Sequence, residues 1–306
     1  HLGYLWKDAP IENQALMVEL FSEVAPDSAF VGDLCFWLLR QKQTQAWPTT
    51  KSTTDAVYAL LLAKSSVGQG QNPAAGSILS SDALLTVRLG EHPVTTSELA
   101  LGTGSYSERI PGAAITPAMG NITVTKTGTG VSWGTVTWQY HQDIEKLSAH
   151  TATPLKLKKT LWKKVHTAQG AELIPITGGT PASAREQAVS LQRTPLVSGD
   201  TLVVRLEVSA DRDMDFVHLK DQRGSGTEPL NVLSAYRSQD GFWYYESTKD
   251  TATHFFIDRL PAGTHIFEYP VRVQLRGAYP SGIAEIQSMY APEFNAHSES
   301  VLLVVE

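Results

Sequence analysis

The sequence predicts a mixed, mainly β chain: α-helical hairpins at the N-terminus, followed by antiparallel β-structure to the end. Three observations carry this. Apolar residues recur with the helical period over roughly the first 65 residues. A stretch rich in Gly, Gln, Asn and Ser then breaks the pattern between Ser66 and Pro73. Beyond it, short apolar or alternating runs are separated by Gly, Pro and Asp. At 306 residues the chain exceeds one ordinary domain and suggests two or three, each able to bury a core.

The spacing predicts a first helix opening at Asp8 and Pro10, running through Ile11, Ala15, Val18 and Leu20, and stopped by Pro26. Asp27 or Ser28 is placed to cap a second helix. Its Phe30, Val31, Leu34, Cys35, Leu38 and Leu39 follow the i, i+3, i+4 rule for one buried face. Cys35 lies in that stripe and reads as a small buried hydrophobe. Ser52, Thr53, Thr54 and Asp55 match a capping box, opening a third helix that buries Ala56, Val57, Leu60, Leu61 and Ala63.

After the linker, strands are expected at 84–89, 122–124 and 133–138, the last two joined by a hairpin turn at 127–130. Residues 143–154 are polar and form a second junction. Leu155, Leu157 and Leu161 then interleave with Lys156, Lys158 and Lys164, the pattern of an edge strand protected by lysines. Further strands are expected at 201–208, 215–220, 254–258, 264–275 and 301–305. Many short strands with such turns indicate an antiparallel sandwich rather than a parallel α/β sheet.

Apolar residues make up 42% and charged residues 18%, which places the chain among folded rather than disordered proteins. A net charge of −6 argues against nucleic-acid binding, which needs a concentrated basic surface. Cys35 is the sole cysteine, so no intrachain disulfide and no Cys-rich zinc site can form. No apolar run reaches the roughly 18 residues that span a bilayer. The chain opens at His1 with no initiator Met or signal-peptide pattern, which reads as a piece of a longer protein with any targeting segment upstream.

Chemistry-bearing motifs are missing. No His-x-x-x-His pair occurs, and His218 and His265 sit in strand-like runs as hydrogen-bonded structural imidazoles. There is no Gly-x-Ser-x-Gly elbow. The Gly128-Thr129-Gly130 run precedes no helix and carries no phosphate-binding signal. Cys35 lacks the electropositive, exposed setting of a nucleophile. Spacing alone nominates no pair among the 31 acids. The sequence therefore assigns no catalytic, cofactor-binding or metal-binding residue, and no cofactor.

Two stretches carry a resemblance. Residues 41–61, QKQTQAWPTTKSTTDAVYALL, resemble the last helical hairpins of the thioester domain of α2-macroglobulin and complement proteins. There Trp47 would plug the loop end of a helical pair, Pro48 would keep the chain out of a helix, and the next helix would return antiparallel. Residues 214–220, 229–233, 241–250 and 255–298 resemble the final domain of bacterial α2-macroglobulin-like proteins. The hallmarks are Phe256-Ile257-Asp258-Arg259-Leu260-Pro261-Ala262-Gly263 and Tyr290-Ala291-Pro292-Glu293-Phe294. Between them, residues 115–120 and 133–140 look like the β-domain that follows the thioester domain.

This resemblance implies three parts. Residues 1–68 would be the C-terminal helices of an α/α-toroid thioester domain, 69–148 a β-domain in the CUB-like position, and 149–306 a terminal macroglobulin-like antiparallel β-sandwich. Because the thioester domain is inserted into the β-domain in that family, the first two parts would lack elements supplied from upstream. The implied role is the C-terminal scaffold of a bacterial broad-spectrum protease trap, in which bait cleavage triggers covalent capture. One departure limits it. The family's thioester is built from Cys-x-Glu-Gln, whereas Cys35 is followed by Phe36, Trp37 and Leu38. The bait region and thioester would both lie upstream, and the chain itself would not be an enzyme. Implied partners are proteases, met through the full-length protein, and the upstream domains. The implied location is the periplasm or cell envelope, with a lipid anchor at the far N-terminus.

In bacterial relatives an aromatic residue of the last domain covers the thioester, since an apolar lid excludes the attacking nucleophile. Tyr290 is the first candidate for that lid, with Tyr244 and Tyr245 second. The alternative for Tyr290 is a core tyrosine with a hydrogen-bonded hydroxyl. Two other function classes stay open. One is a carbohydrate-binding or adhesion β-sandwich using Trp243, Tyr244 and Tyr245 as a stacking platform. The other is a fragment of an α/α-toroid enzyme, which would need an acidic or His/Tyr constellation that the helical part does not offer.

Overall fold

The computed structural model describes residues 9–25, 28–44, 46–66, 84–94, 107–127, 134–168, 170–176, 195–239 and 241–306. The expected helix signals at Asp8, Pro26 and Asp27, most of the 66–73 linker, and Gly128 to Trp133 lie outside them. The chain divides into two compact units, His1–Thr135 and Val136–Glu306.

The first unit opens with α1 (Pro10–Val24), α2 (Ala29–Thr44) and α3 (Thr50–Ser66). Pro10 stands at the first helical position, where its missing N–H costs nothing and its fixed φ is already helical. Ser28 Oγ accepts the Phe30 N–H at 3.3 Å and so occupies one orphan donor at the start of α2. The cap of α3 falls three residues before the expected one. Thr49 Oγ1 accepts the Ser52 N–H at 3.0 Å and shares a 2.8 Å hydrogen bond with Ser52 Oγ. Ser52 Oγ in turn donates to Glu12 Oε1 at 2.6 Å, which ties the first turn of α3 to the first turn of α1. Asp55, expected in the cap, instead pairs with Lys51 one turn back along α3.

The three helices share a core of Ile11, Ala15, Val18, Leu34, Cys35, Leu38, Ala56 and Ala59, with Trp47 packed against it. Burial pushes the Cys35 thiol up to about 11, so it stays protonated and inert at neutral pH. Part of the expected core is not buried: Leu20 (46%), Phe30 (48%), Val57 (44%) and Leu61 (54%) are exposed. For Val57 and Leu61 the reason is steric. α3 meets α1 through its small residues Ser52, Ala56 and Ala59, which allow close approach, so its larger apolar residues fall on the flanks.

The same unit holds a three-stranded antiparallel sheet with β1 (Leu84–Leu89) between β2 (His92–Val94) and β3 (Ile122–Thr127). Of the hairpin expected between 122–124 and 133–138, the turn lies mostly outside the described residues, and 134–138 is not a strand. β3 pairs with β1 along its whole length, and residues 134–140 are exposed and outside any strand.

The second unit is a β-sandwich. Its strands are β4 (Leu155–Thr167), β5 (Gly170–Ile176), β6 (Thr201–Ala210), β7 (Met214–Gln222), β8 (Thr227–Pro229), β9 (Ala235–Gln239), β10 (Phe242–Thr248), β11 (Ala252–Leu260), β12 (Gly263–Val273), β13 (Gly277–Pro280), β14 (Ala284–Ser288), β15 (Asn295–His297) and β16 (Leu302–Val305). One sheet runs β15-β14-β7-β11-β10-β9, the other β5-β4-β6-β12-β8, and β13 pairs with β16. Every ladder between these strands is antiparallel.

Period-two alternation sets the inward faces: Leu202, Val204, Leu206 and Val208 of β6; Phe267, Tyr269, Val271 and Val273 of β12; Val217 and Leu219 of β7; Phe255 and Ile257 of β11. Phe255 and Phe267 meet across the two sheets with centroids 5.3 Å apart. β4 lies between β5 and β6 in the sheet order, but β5 pairs with it only from Leu161 onward, so among the described residues 155–160 are laddered by β6 alone, as an edge is, and 161–164 on both sides. Lys156, Lys158 and Lys164 do face outward, but Lys159 and Lys163 share the inward parity of the leucines and are buried. Lys163 is matched by Asp200 at 2.7 Å and the Pro195 carbonyl at 2.8 Å.

Candidate functional site

The final sandwich carries a polar cluster in its core and an exposed aromatic tip at a loop. In the core, Lys159 Nζ donates to Asp221 Oδ1 at 2.6 Å and to the carbonyls of Gln222 (3.1 Å), Ser281 (3.1 Å) and Gly282 (3.2 Å). Tyr269 donates its hydroxyl to Asp221 Oδ2. Complete burial pushes the Asp221 carboxyl above its usual range, against the opposing pull of Lys159 and Tyr269. Burial and the Asp221 charge together push the Tyr269 hydroxyl well up. A space of about 10 Å³ between these side chains is no larger than one water. A lysine so fully matched is an acceptor-saturated cation, built to join β4, β7 and β12 rather than to meet a substrate.

The FIDRLPAG hallmark is also architectural. Ile257 and Leu260 face the core, while Arg259 pairs with Asp213 at 2.8 Å. Asp213 also accepts the Ala262 N–H at 2.9 Å. The hydrogen bonds from Arg259 and Ala262 hold the Asp213 carboxyl below its usual range. This brace fixes the turn from β11 into β12. His265 Nε2 lies 2.9 Å from the Pro261 carbonyl in the same turn, and His218 Nε2 lies 3.0 Å from His254 Nδ1, so both are hydrogen-bonded imidazoles within strands. Desolvation and neighbouring positive charge lower both His218 and His254.

The aromatic tip is the loop between β14 and β15. Its backbone closes on itself: Ser288 N–H donates to Phe294 O at 3.0 Å, Phe294 N–H to Ala291 O at 2.9 Å, and Asn295 Nδ2 to Pro292 O at 2.7 Å. Ala291 and Phe294 are buried beneath it, and the Arg212 guanidinium lies over the Phe294 ring at 5.5 Å. Tyr290 stands on this braced loop 78% exposed, so it is not a core tyrosine. Its only aromatic contact among the described residues is edge-to-face with Phe216, with centroids 5.2 Å apart at 83°.

The other lid candidates separate by strand parity. Tyr244 points inward, 8% exposed, and packs against Phe255 and Phe267, which removes it from any exposed platform or lid in this chain. Burial, its first cause, pushes the Tyr244 hydroxyl up. Tyr245 is half-buried on the outer face beside Tyr236, with ring centroids 5.0 Å apart, and Trp243 is 65% exposed. Among the described residues no group of three or more His, Cys, Asp or Glu side chains is arranged to hold a metal. No helix of the described residues is long and apolar enough to cross a membrane.

Residues 177–293 match the family model of the bacterial alpha-2-macroglobulin MG10 domain, a span from ahead of β6 to the loop that bears Tyr290. A curated alpha-2-macroglobulin homolog of a Nostoc species is 21% identical over 308 aligned positions, covering 98% of this chain and 15% of the relative. Escherichia coli alpha-2-macroglobulin activated by porcine elastase is similar at 16% identity and a TM-score of 0.44, covering 97% of this chain and 24% of that one. A tyrosine-to-glycine mutant of Salmonella alpha-2-macroglobulin is similar at 18% identity and a TM-score of 0.38, covering 96% of this chain and 17% of that one. The chain thus spans only a small part of the length of each. With the matched residues forming most of the sandwich, the chain resembles the C-terminal portion of the bacterial alpha-2-macroglobulins, and its residues 177–293 are similar to their MG10 domain.

Proposed function

We propose that this chain is the non-reactive C-terminal scaffold of a bacterial α2-macroglobulin-like protease trap, and that its terminal sandwich shields a thioester carried upstream. The observation that carries this reading is Tyr290. It lies in the matched domain and is held out into solvent by a self-bonded loop instead of being buried. An exposed, rigidly seated ring is suited to exclude water from a strained acyl donor, because it loses little conformational freedom when it docks. The division into helices of a thioester domain (1–68), a β-domain (69–148) and a terminal sandwich (149–306) belongs to the same reading. It is supported by apolar side chains left exposed at Leu16, Leu20, Val24, Val57 and Leu61 of the helices and at Ile122 and Val124 of β3. Such surfaces suit helices and strands that complete each layer from upstream. In this reading the chain has no catalytic role, and the whole protein works in the periplasm or cell envelope, tethered through its N-terminus.

The test uses the full-length protein. Replacing Tyr290 with Gly is expected to accelerate methylamine incorporation in the absence of protease, with the melting profile of the sandwich preserved. An unchanged rate in a normally folded variant would remove Tyr290 from the lid and turn attention to Tyr245.

A further inference from the structure

Phe216 lies on β7, the strand at the centre of the six-stranded sheet, and among the described residues it is the one non-glycine with positive φ, at 54°. A phenylalanine in the left-handed region is strained, and such strain persists only where the surroundings over-determine it. The ladders on either side do so. Val217 pairs with Ile257 and Ser288, and Asp215 pairs with Arg259, so the β7–β11 register runs unbroken past Phe216 and pins the residues on both sides of it. The Phe216 carbonyl accepts the Met289 N–H at 2.9 Å, one residue before the aromatic tip. The twist also breaks the alternation of β7: Met214 and Val217 both face inward, and the Phe216 ring is left outside, 42% exposed, with its contact to Tyr290.

A strained residue whose carbonyl holds the loop and whose ring supports the loop's exposed tyrosine is a seat. We propose that Phe216 is a positioning residue for Tyr290: its left-handed backbone fixes the base of the β14–β15 loop, and its ring holds the Tyr290 ring in the orientation that shields the thioester. The orienting half of this stands on geometry alone, and the shielding half rests on the function proposed above.

The two halves are read separately. In the 306-residue chain labelled with 3-fluorotyrosine, the Tyr290 resonance, assigned by its loss in Tyr290→Phe, is expected to be displaced and broadened relative to free fluorotyrosine. Phe216→Leu, which keeps bulk and loses the ring, is expected to move it to the free position and narrow it. Phe216→Tyr, which keeps the ring, is expected to leave it displaced. A Tyr290 resonance at the free position in the unaltered chain would overturn the proposal without any variant. So would a resonance unmoved by Phe216→Leu. In the full-length protein, Phe216→Leu is expected to raise protease-independent methylamine incorporation several-fold and to add nothing in a Tyr290→Gly background. If Tyr290→Gly has no effect while the fluorine resonance responds to Phe216, the shielding reading fails and the positioning role stands. If Tyr290→Gly accelerates incorporation and Phe216→Leu does not, the positioning role in shielding is overturned.

Discussion

Replacing Lys159 with Met is expected to destabilise the terminal sandwich by about 3–5 kcal/mol, because it leaves Asp221 as a fully buried carboxylate without its cation. Three backbone carbonyls, of Gln222, Ser281 and Gly282, lose their donor at the same time. The loss depends on pH. Burial already raises the Asp221 carboxyl in the intact protein, and removing the opposing lysine raises it further. A raised folded-state value favours the protonated form, so its stabilising effect is fully present below the ordinary carboxylate range and is lost as pH rises through the folded value. The deficit of Lys159→Met is therefore smallest in acid and grows toward neutral pH. Chemical denaturation across that range measures it, and a deficit independent of pH would contradict the assignment of Asp221 as the unpaired charge. Adding Asp221→Asn to Lys159→Met is expected to recover a large part of the loss at neutral pH.

Gly282→Ala is expected to cost about 2–4 kcal/mol through a separate cause, backbone geometry. Gly282 adopts φ +78°, and a methyl group added there would stand 2.5 Å from the Gln222 carbonyl oxygen. Neither group is a flexible side-chain end that could move aside. Gly199 supplies the control. It has φ +98° with open space around it, so Gly199→Ala bears the conformational cost alone, about 1 kcal/mol. Because the Gly282 carbonyl is also an acceptor for Lys159, Gly282→Ala and Lys159→Met are expected to be less than additive. Equal melting temperatures for the two glycine variants would show that the close approach at Gln222 is absent.

The architecture was legible where alternation is strong. Strands at 201–208, 215–220, 254–258, 264–275 and 301–305 all coincide with strands of the sandwich, because large apolar residues on one parity leave little choice of face. In the segment 155–164 the outward Lys156, Lys158 and Lys164 are legible from their alternation with the leucines, whereas the inward Lys159 and Lys163 are not, because a lysine is not expected among core residues. Parity held the correct signal: Lys159 and Lys163 fall in step with Leu155, Leu157 and Leu161, and Asp221 falls in step with Val217 and Leu219. A lysine and an acid on inward parities of neighbouring runs announce a buried pair. The helices went wrong in the opposite way, since hydrophobicity favours Val57 and Leu61 as core, whereas close packing of α3 on α1 selects Ala56, Ala59 and Ser52.

The aromatic candidates divide on the same principle. Trp243 and Tyr245 share one face of β10 and Tyr244 the other, so a single strand assignment separates them. Tyr290 was found through the Tyr-Ala-Pro-Glu-Phe stretch, but its exposure depends on hydrogen bonds that close the loop through Ser288, Ala291, Pro292 and Phe294. The contribution of Phe216 was barely legible. Nothing in Met214-Asp215-Phe216-Val217 marks a left-handed residue, and only the break in inward parity between Met214 and Val217 betrays it.

If this chain is the scaffold of a trap whose bait and reactive bond lie upstream, only the full-length protein captures a protease. The direct measurement exposes the full-length protein and the isolated chain to a broad-specificity protease and follows them by denaturing electrophoresis. A high-mass covalent adduct between the full-length protein and the protease, abolished by prior methylamine treatment, is expected, with no adduct and no loss of protease activity for the isolated chain. Absence of the adduct from the full-length protein, or inhibition by the isolated chain alone, would contradict that reading.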